Sequence, residues 1–329
     1  MTTSPEKIED GIYFGMPAAT YHAAPHAGSS SIKQLYSSPP DYWFDSAMNP
    51  LREPEEESFA LQFGSALHDR ILYGEEFFRK NYQPIPGGTS SGEVSADSLK
   101  KWLEENGAKP AKLKADNERM VKEQFGITLV AEKQFEKIMV SAQMITKNPN
   151  LASAFVGGFP EVSIFWHDDG VPCKCRLDYM KLGATVDLKS FRSKERIRTL
   201  DETILQDLFN YRYDIQMAHY TAGREAARAL FDAGKVFTVA GAALPHIVWL
   251  RKALASVPHW VFVFYKADGA PISKSYQIPY GSPAHDSGKF ARGLALTHYR
   301  DNFDKFGTDP WVNMDEPFEI AAEDMPKWL

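Results

Sequence analysis

Cysteine is nearly absent: the 329 residues hold two, Cys173 and Cys175. Side chains at i and i+2 of a strand share a face without the geometry of a bridge, so no disulfide framework is expected. Two cysteines also cannot build a four-cysteine zinc site or an iron–sulfur cluster within one chain. Long apolar runs are missing as well, none approaching the ~18–20 residues that span a bilayer. The first residues, Met1-Thr-Thr-Ser-Pro-Glu-Lys, lack the basic-then-apolar order of a secretory signal. The expectation is a cytoplasmic protein without a membrane partner. A basic excess is lacking too: 37 Lys and Arg stand against 43 Asp and Glu, a formal charge of −6. That balance excludes a protein that coats nucleic acid through bulk positive charge, but it leaves a local basic groove open.

What is present is an ordinary globular composition, 43% hydrophobic and 24% charged, at a length that suits one large domain over 1–329. Residues 1 to about 28, with Gly11, Gly15, Pro17, Pro25 and Gly28, read as an irregular lead-in. Ser29-Ser-Ser31 then offers an N-cap to a short helix that Pro39-Pro40 stops. Phe59, Phe63, Leu67 and Ile71 recur at helical spacing, which predicts a helix ending near Leu72. Glycine, proline and serine make 84–97 a loop, lysine-rich helical turns follow over 98–124, and Phe135, Ile138, Met139 and Ala142 mark another amphipathic helix. From 160 the character changes: three short alternating segments, ending at Trp166, Tyr179 and Lys189, are joined by tight turns into a meander. A long helix is expected over 207–232, strands at 260–265 and 275–278, and a last helix near 287–305. The fold class is therefore mixed α/β: a mainly helical part at 29–150 that carries His68, then a sheet–helix core at 160–329.

The period of two in a strand puts Thr185, Asp187 and Lys189 on one face of the third segment, and Lys174, Arg176 and Asp178 on one face of the second. If the turn at 181–183 pairs these strands, Asp178 comes close to Asp187 and Lys189, and Glu161 can approach from the first strand. Carboxylates and a lysine converging on one sheet face suit a Mg²⁺ site that activates water for phosphodiester hydrolysis, with the lysine supporting the developing charge. The tripeptide Asp187-Leu-Lys189 alone is equally a solvent-facing salt bridge on a hairpin. Asp178, nine residues earlier with matching parity, is what moves the balance. His68 is either a polar-face histidine or a ligand. Gly64 and Ser65, one turn before it, would allow the helix a close backbone approach. Gln216 and Tyr220, four apart, share a helix face, and Arg192, Lys194, Arg196 and Arg198 form a basic run directly after Lys189.

The set Glu161…Cys-Arg-Leu-Asp178…Val-Asp187-Leu-Lys189-Ser resembles the core motif of the PD-(D/E)xK nuclease superfamily. Gln216-Met-Ala-His-Tyr220 resembles the glutamine-x-x-x-tyrosine motif of its RecB-like branch. The longer string from Tyr211, the histidine-bearing Phe63-Gly-Ser-Ala-Leu-His68, Ser30-Ser-Ile-Lys-Gln-Leu35 and Met325-Pro-Lys-Trp328 are similar to the RecE-type exonucleases (exonuclease VIII). The ordered set touches most of the chain from about 11 to 329, and 84–125 and 233–258 depart from it. The resemblance implies a single nuclease domain whose central mixed β-sheet is flanked by helices, with an N-terminal helical part. It implies a metal-dependent exonuclease that digests linear double-stranded DNA 5′ to 3′ and leaves 3′ overhangs for phage-type recombination. Mg²⁺ would be the cofactor, with Mn²⁺ able to substitute. Asp178 and Asp187, helped by the Leu188 carbonyl and by His68, would hold the metal. Lys189 would be the catalytic lysine, and Glu161 a less uniform acidic position of the catalytic set. Arg176, Arg192, Lys194, Arg196, Gln216 and Tyr220 would meet DNA, unless Gln216, supported by Tyr220, instead orders the active-site strand. The implied partners are double-stranded DNA, a single-strand annealing protein and further copies of the chain in a ring. Another nuclease of the superfamily, an endonuclease or a single-strand-specific enzyme, shares the same residues. A third reading is an inactive nucleic-acid-binding module, against which the intact Asp178, Asp187 and Lys189 argue.

Overall fold

In the computed structural model residues 8–52, 59–88, 93–192, 199–239, 242–266 and 269–313 are described. The chain runs β1 (Gly11–Phe14), α1 (Ala18–Ala23), α2 (Ser29–Ser37), α3 (Pro39–Asp45), α4 (Phe59–Leu72), α5 (Gly74–Asn81), β2 (Tyr82–Ile85), α6 (Ala96–Glu105), α7 (Lys114–Phe125), β3 (Thr128–Ala131) and α8 (Glu132–Lys147). The second half follows with β4 (Phe159–Asp168), β5 (Val171–Met180), β6 (Ala184–Phe191), α9 (Leu200–Asn210), α10 (Tyr213–Asp232), β7 (Val236–Thr238), α11 (Ile247–Ala255), β8 (His259–Lys266), β9 (Ser273–Ile278) and α12 (Pro283–Phe306).

The meander is the spine of a seven-stranded mixed sheet ordered β7-β1-β4-β5-β6-β8-β9. Asp169 and Gly170, at φ 48° and 82°, make the tight turn between β4 and β5, the backbone that an Asp-Gly pair favours in a hairpin. β6 and β8 run parallel, and the crossover that parallel pairing needs is supplied by the stretch from α9 to α11. Helices cover both faces. One layer, with α2, α10, α11 and α12, packs on Ile12, Ile164, Trp166, Leu177, Trp260, Phe262 and Phe264. The other, with α4 and α8, packs on Val186, Leu188, Val263 and Tyr265. Alternation along β6 thus sends Val186 and Leu188 to α4 and α8, and Thr185, Asp187 and Lys189 toward α10. The segment between α5 and α8 forms its own small cluster around Leu99, Leu103 and Val121. Among the described residues no helix is long and apolar enough to cross a membrane.

Three sequence expectations are corrected. The lead-in at 1–28 contains β1, which joins the main sheet beside β4. Four residues with glycine at their start carry too little alternation to show in sequence. The helix expected over 207–232 is two helices, divided at Arg212, which takes a left-handed conformation at φ 50°. Finally, the 84–97 loop begins inside β2, which pairs in parallel with β3; residues 89–92 of it lie outside the described residues.

Candidate active site

The site forms where β5 and β6 part. Their ladder is only two pairs long, Tyr179 with Val186 and Met180 with Thr185. Beyond it the strands diverge, and the Asp178 carboxylate closes the gap by accepting the Leu188 backbone N–H at 2.8 Å. On the other side of β5, Glu161 occupies the β4 position between two residues paired with Tyr179 and Leu177. Its φ of 53° is left-handed backbone that a glutamate adopts at a cost. The Arg176 guanidinium donates to its carboxylate and to the Met16 carbonyl.

His68 enters from α4. Its Nε2 lies 3.1 Å from the Leu188 carbonyl oxygen, and its Nδ1 lies 3.8 Å from Asp178 Oδ2. A carbonyl can only accept, so Nε2 carries the proton and Nδ1 turns a lone pair toward the carboxylate. Burial, with Lys189 adding to it, lowers the His68 pKa to about 4 and keeps the ring neutral. A lone pair facing a carboxylate is an arrangement that a cation between them would stabilise. Ligand atoms of His68, Glu161 and Asp178 all lie within 4.8 Å of one another. Two carboxylates and one imidazole are a donor set suited to Mg²⁺ or Mn²⁺, so the residues present fit a divalent ion.

Asp187 stands beside this triad, fully buried. Gln216 Nε2 donates to its Oδ1 at 2.8 Å. Lys189 Nζ sits 2.5 Å from Oδ2, a close ion pair. Burial raises the Asp187 pKa to about 6, with Lys189 opposing the rise. Glu161 is likewise pushed up to about 7 by burial against the pull of Arg176, and burial raises Asp178. For Lys189 burial opposes the charge, but Asp187 and Asp178 outweigh it and hold the ammonium above its ordinary value. Titratable groups pushed off their usual values and gathered in one cluster are a feature shared by reactive sites.

The structure therefore brings His68, Glu161, Asp178, Asp187, Leu188 and Lys189 together, with two changes of position. Glu161 joins His68 and Asp178, and Asp187 is held by Gln216 and Lys189 instead. The Leu188 carbonyl, expected to face a metal, is the acceptor for His68. Gln216, expected either at DNA or as the residue that orders the active-site strand, is placed in the second way by its bond to Asp187, while Arg176, expected at DNA, is turned inward onto Glu161. Tyr220 is buried edge-on to Trp260 and lines a cavity of about 950 Å³ with Ser65, Lys174 and Arg52. Arg192 is exposed, while Lys194 and Arg196 lie outside the described residues. Gly64 is not needed for a close approach, since a Cβ there would meet only the Tyr265 hydroxyl, at 4.0 Å. Sequence reasoning missed Lys33 and Tyr213 as members of the site. The ammonium groups of Lys33 and Lys189 stand over the Tyr213 ring, 5.0 and 5.3 Å from its centre. Lys33 belonged to a quoted motif, but nothing in a helix at 29–37 reveals that it faces a strand some 150 residues later.

Residues 28–239 match the family described as PDDEXK-like domain of unknown function (DUF3799). No curated protein matches the chain. Among solved structures, one from Eubacterium rectale named "Putative exonuclease" is similar at a TM-score of 0.49 and 15% identity, covering 87% of this chain and 87% of that one.

Proposed function

Because this chain belongs to the PDDEXK-like domain family (DUF3799), and so to the PD-(D/E)xK nucleases, which generally use divalent metal ions, we propose that it is a DNA exonuclease of the RecE type. On this reading it digests linear duplex DNA from 5′ ends and leaves 3′ overhangs. The observation that carries the nuclease chemistry is the meeting of His68, Glu161 and Asp178 with the Lys189–Asp187 pair where β5 and β6 diverge. The exonuclease choice is supported by Gln216 and Tyr220 in the RecB-like spacing on α10.

Each side chain has a task that follows from its surroundings. A divalent ion held by His68, Glu161 and Asp178, Mg²⁺ by preference and Mn²⁺ as a substitute, would lower the pKa of a bound water and screen the phosphodiester. Lys189, kept protonated by its carboxylate neighbours, is a fixed donor for the attacking water or for a non-bridging phosphate oxygen. Gln216 pins one oxygen of Asp187, which directs the other at Lys189 and sets where the ammonium stands. Arg176 holds Glu161 in its unfavourable backbone conformation. The partners on this reading are linear double-stranded DNA, a single-strand annealing protein that takes up the overhang, and other copies of the chain in a ring around the duplex.

The test uses linear duplexes labelled separately at 5′ and 3′ ends, with closed circles alongside, in Mg²⁺ and in chelator. Loss of 5′ label alone, no cutting of circles, and loss of cleavage in Asp187→Ala and Lys189→Ala are expected. Cutting of circles would replace the exonuclease by an endonuclease of the same superfamily. DNA binding without cleavage in any divalent ion would leave an inactive binding module.

A further inference from the structure

Two ammonium groups stand over the Tyr213 ring, Lys189 from β6 and Lys33 from α2, and the Arg212 guanidinium, at the turn before α10, lies over the Tyr36 ring of α2. Two of these three cations have a carboxylate. Lys189 pairs with Asp187 at 2.5 Å, and Arg212 pairs with Asp214 through both carboxylate oxygens, at 2.9 and 3.0 Å. Asp214 is itself buried and also accepts from the Ser287 hydroxyl. Lys33 is the surplus charge. Among the described residues no carboxylate ion-pairs with it, and its ammonium lies over the face of Tyr213.

A lysine stem lying on an aromatic ring would pack as well with its head in open water. Here the head is instead held next to another ammonium. Burial and the nearby Lys189 lower the Lys33 pKa to about 8, against the pull of Asp187 and Asp214. Asp187 is paired with Lys189 and Asp214 with Arg212, so the Lys33 ammonium keeps a charge that a further anion would stabilise. The Lys33 and Lys189 nitrogens are both about 5 Å from one ring centre, so they are close enough to act on a single stretch of nucleic-acid backbone.

We propose that Lys33 is a substrate-binding residue: its ammonium takes a backbone phosphate of the nucleic acid next to the one that faces Lys189, and the Tyr213 ring positions both cations. The inference rests on the nuclease reading above and adds to it a second phosphate contact from α2. Lys33 does not act on the scissile bond. It fixes the register of the strand whose next phosphate lies at Lys189, because phosphate contacts position the chain while carrying no sequence information.

The test compares the wild-type chain with Lys33→Met, which keeps the stem on Tyr213 and removes the charge, and with Lys33→Arg, which restores it. Affinity for a short fluorescent duplex is measured by anisotropy in chelator across a salt series, and cleavage is measured separately in Mg²⁺. Removing one phosphate contact lowers the slope of log affinity against log salt by ~0.9. Lys33→Met is expected to show that reduced slope, about 5- to 10-fold weaker binding at ~0.15 M salt and a raised KM with a smaller change in kcat, and Lys33→Arg is expected to recover the slope. Circular dichroism checks the fold, and Lys33→Gln replaces Met if the variant unfolds. A wild-type slope in Lys33→Met and Lys33→Gln, with wild-type protein that binds and cuts, overturns this inference alone. A wild-type protein that neither binds nor cuts DNA overturns the nuclease reading, and this inference falls with it.

Discussion

Asp187 concentrates the chemistry of the site in one buried carboxylate. It lies in a strand that sequence alternation assigns to a face with Lys189, and tertiary contact adds Gln216 from a helix some thirty residues on. An amide donating to a buried carboxylate stabilises its charged form. Gln216→Leu should therefore raise the Asp187 pKa further above about 6 and move the acid limb of the pH–rate profile to higher pH. It should also cost about 1–3 kcal/mol in urea unfolding, since one buried acceptor is left unsatisfied. An unmoved acid limb would show that Asp187 does not titrate in the rate-determining step. Gln216 was legible as one of a pair at i and i+4 that could order the active-site strand, but not as the partner of Asp187 in particular, because helix periodicity does not fix how a helix is set against a sheet.

At the scale of elements, the site depends on two departures from regularity that residue types do not announce. One is the parting of β5 and β6 after two pairs, which frees the Leu188 N–H for Asp178. The other is the break between α9 and α10 at Arg212, whose left-handed backbone is held by its ion pair with Asp214. Glycine or asparagine would have signalled such a turn, and an arginine does not. The first turn of α10 is in turn held by α12. A Cβ on Gly288 would stand 2.1 Å from the Asp214 carbonyl oxygen and 2.5 Å from its carbon. Backbone atoms cannot rotate aside, so the helices must separate. Gly288→Ala should lower stability by about 1–3 kcal/mol, seen as a lower thermal midpoint. It should also reduce cleavage, because Tyr213 and Gln216 move with that turn. A midpoint equal to wild type would mean that α12 yields without disturbing α10.

Over the whole molecule, the −6 charge coexists with an interior that carries charged and titratable groups far from water. His219 is the clearest case outside the site. Its Nε2 faces the Lys174 carbonyl at 3.0 Å and its Nδ1 accepts from Arg292 at 3.3 Å, so both nitrogens are used only in the neutral form. Burial first, then Arg292, lowers its pKa to about 3. A depressed histidine favours folding fully above its unfolded pKa near 6.5, and that contribution is lost as pH falls toward 3. On acidification from pH 6.5 this one group subtracts up to ~1.4 kcal/mol per pH unit from the unfolding free energy, opposite in sign to the raised carboxyls of Glu161 and Asp187, so its share is read by difference. His219→Gln should lack that loss over the same window in urea titrations at several pH values. Equal slopes would show that His219 titrates normally in the folded chain.

The amino-acid sequence by itself determined the mixed α/β class, the meander, and the common face of Thr185, Asp187 and Lys189, because a pleated strand alternates its side chains whatever surrounds it. The order of the acidic, lysine and glutamine motifs was also legible along the chain. Only the tertiary structure decided which groups meet. It set Glu161 rather than Asp187 beside His68 and Asp178, turned Arg176 and Gln216 inward, and brought Lys33 onto the ring that also carries Lys189. Those choices follow from where two strands diverge and how two helices cross, which depend on packing between segments far apart in sequence.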